Sequence, residues 1–434
     1  MGNMSLILRE HPLRRAVAAE LHARTYEPLH APERVAHLAL MFGEDGAGPS
    51  IEHLKRLLAH YGRPVPATVD QHFAADLGPM RVRWERHTEF VTFNFSKQGP
   101  FDEPFAGAVL QELPEDWLRT LPGEVISAVA VAIEPCATPE RSNEQLSALF
   151  DGNPVIGSAV VGGAARAWSD LRIHADGFFH LLIRDCSMSE NQAGRLAKRF
   201  LDINCYRALA LLGFPLAQEV ASSLRDADRR LARVASRMTN HSNPPDSGFE
   251  SGLLAELTGL AAEVEEITAH TTYRFDASRA YYGMVQQRLG ELRQQRIEGL
   301  QTFSEFLDAR LAPAIATCEA TRHRQSDLAE RAARLTSLLR ARVEVSLQEQ
   351  NRRLLQSMDR RAQLQLRLQE TVEGLSVMAI GYYGVGLVGY GLKGLQQLGL
   401  PIDATLGMAI ALPFVIGFTW LGLRRIKKRL AGAD

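Results

Sequence analysis

The sequence predicts an α+β N-terminal domain with a mostly antiparallel sheet, then a long α-helical stalk, then a C-terminal two-helix transmembrane hairpin. Three observations predict this plan. Across residues 1–188, short apolar runs of period two alternate with short amphipathic segments. Across 189–373 the pattern turns helical and rich in Glu, Arg, Gln and Leu. Residues 374–392 and 404–423 are two runs without Asp, Glu, Lys or Arg, followed by a basic tail over 424–434.

The opening stretch from Pro12 to Leu21 reads as a helix, with Pro12 in the first turn where its missing N–H is harmless. Residues 34–42 read as a strand and 51–61 as an amphipathic helix. Residues 80–84 and 90–95 flank the polar stretch 85–89 as a hairpin. A short helix lies near Trp117, and 124–133 is a Val-rich strand. Strands at 155–161, 165–174 and 178–183 follow, with a turn at Asp176-Gly177. Short helices among neighbouring strands give the antiparallel α+β reading.

From 190 to 238, Leu196, Phe200, Ile203, Leu209 and Leu212 recur at helical spacing, and Phe214-Pro215 predicts a break or kink. Residues 241–252, with Asn243-Pro244-Pro245 and Asp246-Ser247-Gly248, read as a loop. Long helices are expected over 253–311 and 314–373, parted by a kink or turn at Pro313; an antiparallel pair and one kinked helix both fit. A stripe from Leu328 and Ala332 through Leu335, Leu339, Val343 and Leu347 to Leu354 and Met358 fits burial against partner helices or against its own domain. No breaker separates this helix from the first apolar run, so a single helix over 314–392 would be roughly 120 Å long at 1.5 Å per residue.

Each apolar run is long enough to cross about 30 Å of hydrocarbon, and lipid obliges backbone amides to bond internally. Arg352, Arg353, Arg360, Arg361 and Arg367 precede the first run, and Arg424, Arg425, Lys427, Lys428 and Arg429 follow the second. The link between them holds only Lys393 as a cation, which places both termini in the cytoplasm. Tyr390 and Trp420 sit where interfacial anchors belong, and Pro413 is expected to kink the second helix. Gly374, Gly381, Gly384 and Gly391 share one sector of the first helix, a small-residue face suited to close helix packing.

Composition narrows the function further. Lys and Arg number 49 against 50 Asp and Glu, so no global field points to nucleic acid. Cys136, Cys186, Cys205 and Cys318 form no CxxC pair and read as reduced thiols. No HExxH or phosphate-binding loop occurs, no cofactor is expected, and a metal site is undefined. Glu20, His22 and Arg24 hold acid, base and anion-binding groups, but residues two apart on a helix do not converge. An enzyme is not expected.

His11-Pro12-Leu13-Arg14, Glu20-Leu21-His22-Ala23-Arg24, Ala31-Pro32-Glu33-Arg34 and Thr371-Val372-Glu373-Gly374-Leu375 resemble a bacterial family of membrane-anchored proteins, domain of unknown function 3422. This likeness implies a bacterial inner-membrane location with the lipid bilayer as a partner. The plan also resembles CorA-type magnesium transporters, which implies a homo-oligomer whose first span lines a pore. Tyr390-Gly391-Leu392-Lys393 occupies the place of the Tyr-Gly-Met-Asn motif of those transporters, with Glu370 and Glu373 at the cytoplasmic entry. Lys393 departs from the motif, since a ring of ammonium groups would repel a divalent cation. As a snorkelling anchor it needs no pore. The first reading is therefore a CorA-like ion channel, transporter or ion sensor. The alternative is a non-conducting membrane-anchored scaffold or regulatory protein whose cytoplasmic domain binds a protein partner.

Overall fold

The computed structural model describes residues 11–15, 17–18, 26–43, 46–106, 109–240, 247–398 and 403–430. The chain forms two compact units, one carrying 1–240 and 256–335, the other 241–255 and 336–434. The first unit is the body. Its elements run β1 (Glu33–Met41), α1 (Gly48–His60), β2 (His72–Asp76), β3 (Arg81–Arg86), β4 (Phe90–Gln98), α2 (Glu115–Arg119) and β5 (Glu124–Pro135). They continue with α3 (Asn143–Leu149), β6 (Ile156–Val160), β7 (Ala165–Ile173), β8 (Phe179–Asp185), α4 (Glu190–Leu211) and α5 (Gly213–Asn240). The remaining elements are α6 (Ser247–Glu291), β9 (Gln295–Arg296), α7 (Phe303–Gln397) and α8 (Ala404–Leu430).

Among the described residues, nine strands form one sheet in the order β2-β3-β4-β1-β5-β8-β7-β6-β9. Every ladder is antiparallel except β5 with β8, so the mostly antiparallel sheet is found. The strands read from the sequence all form, while β2, α3 and β9 were not read there. Gln295 and Arg296 pair with β6, so residues beyond 188 complete the sheet.

Strand alternation divides the residues between two faces. On one face of β1, β3 and β4, Leu38, Leu40, Trp84, Phe93 and Phe95 pack under α1 and α2. Trp117 meets Phe93 and Phe95 edge-on at 5.6 and 5.8 Å, each pair worth about 0.5–1.5 kcal/mol beyond its burial. The other face carries a second core of β1, β5, β6–β8, α4, α6 and the start of α7, with Phe200 edge-on to Phe303 at 4.9 Å.

Helix α4 starts at a capping box, in which Ser189 accepts from the Gln192 amide and Gln192 reaches back to the Ser189 amide. Such caps stabilise a helix by about 1 kcal/mol. Gly194 lies where residues 26–30 cross α4, and a Cβ added there would sit on the Glu27 carbonyl oxygen. Gly194→Ala gains about 1 kcal/mol of helix propensity. It must also displace that backbone, so a net loss of about 1–3 kcal/mol is expected as a lower urea midpoint; an unchanged midpoint would show that the segment yields freely.

Three boundaries differ from expectation. The chain breaks at Leu212, before Phe214-Pro215, because Pro215 falls in the first turn of α5 where its missing N–H has no helical acceptor to serve. Pro313 lies inside α7; the turn between long helices falls instead over 292–302, where β9 pairs with β6 and Gly299 takes a positive φ of 81°. The neighbours of Pro313, Leu311, Ala314 and Ile315, are buried in the body and hold the helix through the lost hydrogen bond. The expected loop over 241–252 is shorter, since α6 begins at Ser247; residues 241–246 lie outside the described residues.

In the second unit, the apolar runs are helical over the described residues, the first as the end of α7 and the second in α8. Among the described residues, three helices are long and apolar enough to cross a membrane by length and composition. The one over Glu190–Thr239 spends its apolar residues in the body, with 61% of its apolar window buried; the windows in α7 and α8 are 11% and 6% buried.

Candidate functional site

The face of β1, β3 and β4 turned toward α4 is polar. Arg83, Asn94 and His37 stand in register across β3, β4 and β1, and Glu85 pairs with Thr92 in the next row. Helix α4 covers these rows and lays Lys198 and Asp202, one turn apart, over them. Glu85 accepts from Arg83 Nε at 2.7 Å and from Lys198 Nζ at 2.8 Å. Lys198 lies 3.5 Å from Asp202, which also accepts from Arg288 Nε at 3.0 Å. Toward the edge, Arg81 bonds Glu33 and, at 3.0 Å, Glu27. Each carboxylate of the network thus faces a cation.

Burial raises the Glu85 pKa, but Lys198 and Arg83 outweigh it and bring it down to about 2. Burial lowers the Lys198 pKa, yet Asp202 and Glu85 raise it above the usual lysine value. Burial holds His37 neutral, with its pKa down to about 4. The Cys205 thiol and Tyr206 phenol are both pushed up, burial first, so neither is an activated nucleophile.

His37, Arg83, Glu85, Asn94, Lys198 and Asp202 line a cavity of about 40 Å³. A groove of about 720 Å³ along α6 lies beside it, the two sharing His87, Phe90 and Tyr206 in their linings. His87 and Phe90 stack at 4.1 Å at the junction. Glu89 at the groove accepts from both Arg274 Nη atoms, at 3.2 and 2.8 Å, and from the Tyr273 hydroxyl at 3.3 Å. Among the described residues no cluster of three or more His, Cys, Asp or Glu side chains could hold a metal ion.

The residues singled out from the sequence lie elsewhere. Glu20, His22 and Arg24 fall outside the described residues. Tyr390, Gly391 and Lys393 are exposed on α7, as is Glu370, whereas Glu373 and Leu392 are half-buried. A Cβ on Gly381 would touch Ile416, one on Gly384 would clash with Val415, and Leu392 crowds Gly407 in the same way. Gly389, which the sequence did not single out, faces Met408; Gly374 and Gly391 have open space around them. Arg424 lies 4.9 Å over the Trp420 ring and Arg425 is exposed, while the side chains of Lys427, Lys428 and Arg429 are outside the described residues. Sequence reading missed the polar face under α4. Its signal is the alternation in which Arg81, Arg83 and Glu85 interleave with Val82 and Trp84, and Thr92, Asn94 and Ser96 with Val91, Phe93 and Phe95.

Fold and site define a mixed α/β sheet body with a buried polar cavity, continued by a long helical region with apolar helices. The chain belongs to the family described as "Protein of unknown function (DUF3422)", whose pattern matches residues 9–430. No curated protein matches it. A solved structure titled "structure of the full-length CmaX protein" aligns at 11% identity over 69% of this chain and 89% of that one, with a TM-score of 0.17. At that score the likeness carries no argument, and the CorA-type plan gains no support from it.

Proposed function

We propose that the protein is a non-conducting, membrane-anchored regulatory protein of the bacterial inner membrane, with its sheet body in the cytoplasm. The observation that carries this reading is the polarity of the hairpin. The small residues Gly381, Gly384, Gly389 and Gly407 face the opposite helix, and Met378, Tyr382, Leu387, Phe414 and Phe418 point outward, each more than 70% exposed. In water such an outer surface is costly; in lipid it is the solvated face, and small residues inside let the helices approach. The basic residues flanking both runs favour cytoplasmic ends. Lys393 at the outer end serves as a snorkelling anchor. The exposed stripe of Leu347, Leu354 and Met358 supports self-association along α7. The Cys205 thiol and Tyr206 phenol are held protonated, so neither supports a nucleophilic role.

Fractionation of the full-length chain tests the anchor: it is expected to stay with membranes through a carbonate wash and to leave them only with detergent. Recovery in the soluble fraction without detergent would overturn it. Purified protein in liposomes is expected to pass no potassium, magnesium or chloride; a flux altered by Lys393→Asn would replace this reading with conduction.

A further inference from the structure

Three buried polar atoms around the inner cavity lack a hydrogen-bond partner among the described residues: His37 Nε2, Arg83 Nη2 and Thr92 Oγ1. Their residues are 4%, 8% and 4% exposed, and all three line the cavity. They come from three adjacent strands and one face, so a single small group can reach more than one of them. Buried polar groups are almost always paired, and three unpaired ones around one void point to something that fills it.

The donor and acceptor pattern limits what that is. Asn94 Oδ1 only accepts, so His37 Nδ1, 2.7 Å away, donates to it. In the neutral ring Nε2 is then an acceptor. Arg83 Nη2 is a donor, and the Thr92 hydroxyl serves as either. The occupant must therefore present an acceptor and a donor side by side. Charge limits it further. The carboxylates here are already opposed by Arg81, Arg83, Lys198 and Arg288, so an ion of either sign would bring an unbalanced charge into a buried site. That desolvation cost exceeds what a few hydrogen bonds return. Size and shape complete the description. The cavity admits a polar edge, and the adjoining groove offers Phe90, Tyr206, Tyr273 and Tyr281 to a ring.

We infer that the cavity and groove bind an uncharged, flat heterocycle with a lactam or ureide edge, its carbonyl accepting from Arg83 and Thr92 and its N–H donating to His37. Isothermal titration of the detergent-solubilised full-length protein tests this with uracil and hypoxanthine as neutral lactams. The N,N-dimethyl analogue of uracil removes the N–H, and orotate adds a negative charge. At least one neutral lactam is expected to bind, with the dimethyl analogue and orotate at least about tenfold weaker. Thr92→Val, close in shape but without the hydroxyl, is expected to weaken the lactam about tenfold while the urea midpoint holds or rises. His37→Phe should abolish the preference for the N–H form. Absence of heat from both lactams overturns the inference, as does equal binding of the dimethyl analogue or tighter binding of orotate. A crystal structure grown with saturating lactam that holds only water against these three atoms also overturns it.

Discussion

Glu85→Ala is expected to lower the stability of the body by about 3–5 kcal/mol, the range for removing one partner of a buried charge cluster. Glu85 is 4% exposed and is the acceptor shared by Arg83 and Lys198. Truncation leaves the Arg83 guanidinium without its acceptor in a cavity whose Nη2 already lacks one. Lys198 keeps Asp202, and its side chain is 26% exposed, so water offsets part of its loss. Arg83 therefore dominates the effect. Glu85→Gln, which keeps one carbonyl oxygen, should cost less than half as much. Urea unfolding followed by the fluorescence of Trp84, Trp117 and Trp168 measures both; a loss below about 1 kcal/mol for the alanine variant would mean that water reaches the cluster and pairs the cations.

Acidification should destabilise the body in two successive windows. The His37 pKa falls from an ordinary 6.5 to about 4 on folding, burial being the main cause. The unfolded chain then takes up this proton first, so stability is full above pH 6.5 and is lost as pH falls toward 4. A gap of that size corresponds to about 3 kcal/mol. Glu85 carries the second window: its pKa drops from 4.5 to about 2, so its contribution is present above pH 4.5 and lost as pH falls toward 2. His180, lowered mainly by burial, acts with His37. His174 opposes them: burial lowers its pKa, but Asp151 and Asp170 raise it overall, so its contribution is lost as pH rises through its folded value. Urea midpoints of wild type and His37→Asn across pH 2–7 separate these terms, the variant losing most of the upper window. An unchanged slope in the variant would mean that His37 meets solvent in the folded state.

Much of the fold was legible because its causes are local. The period of two in Val82, Trp84, Phe93 and Phe95 is enough to place a half-buried hairpin, and the helical spacing of Leu196, Phe200 and Ile203 is enough to place a helix. The turn over 292–302 was not legible, because β9 forms only through pairing with β6, far away in sequence. Pro313 misled for a related reason. A proline breaks a helix only when the surrounding packing is weaker than the lost bond, and Leu311 and Ile315 are buried on either side of it.

The site shows the same division. Polar residues at alternate positions of β3 and β4 mark one face as different, but the pattern alone says solvent. Only the placing of α4 over that face turns Arg83, Glu85 and His37 into buried groups with shifted protonation. The sequence by itself determined the strand faces, the helical stretches and the two charge-free runs near the C-terminus, because local periodicity and hydropathy depend on neighbours a few residues away. The tertiary structure decided which polar face is dry and where the long helices turn. Those outcomes depend on desolvation and pairing between segments more than a hundred residues apart, as when Lys198 reaches Glu85.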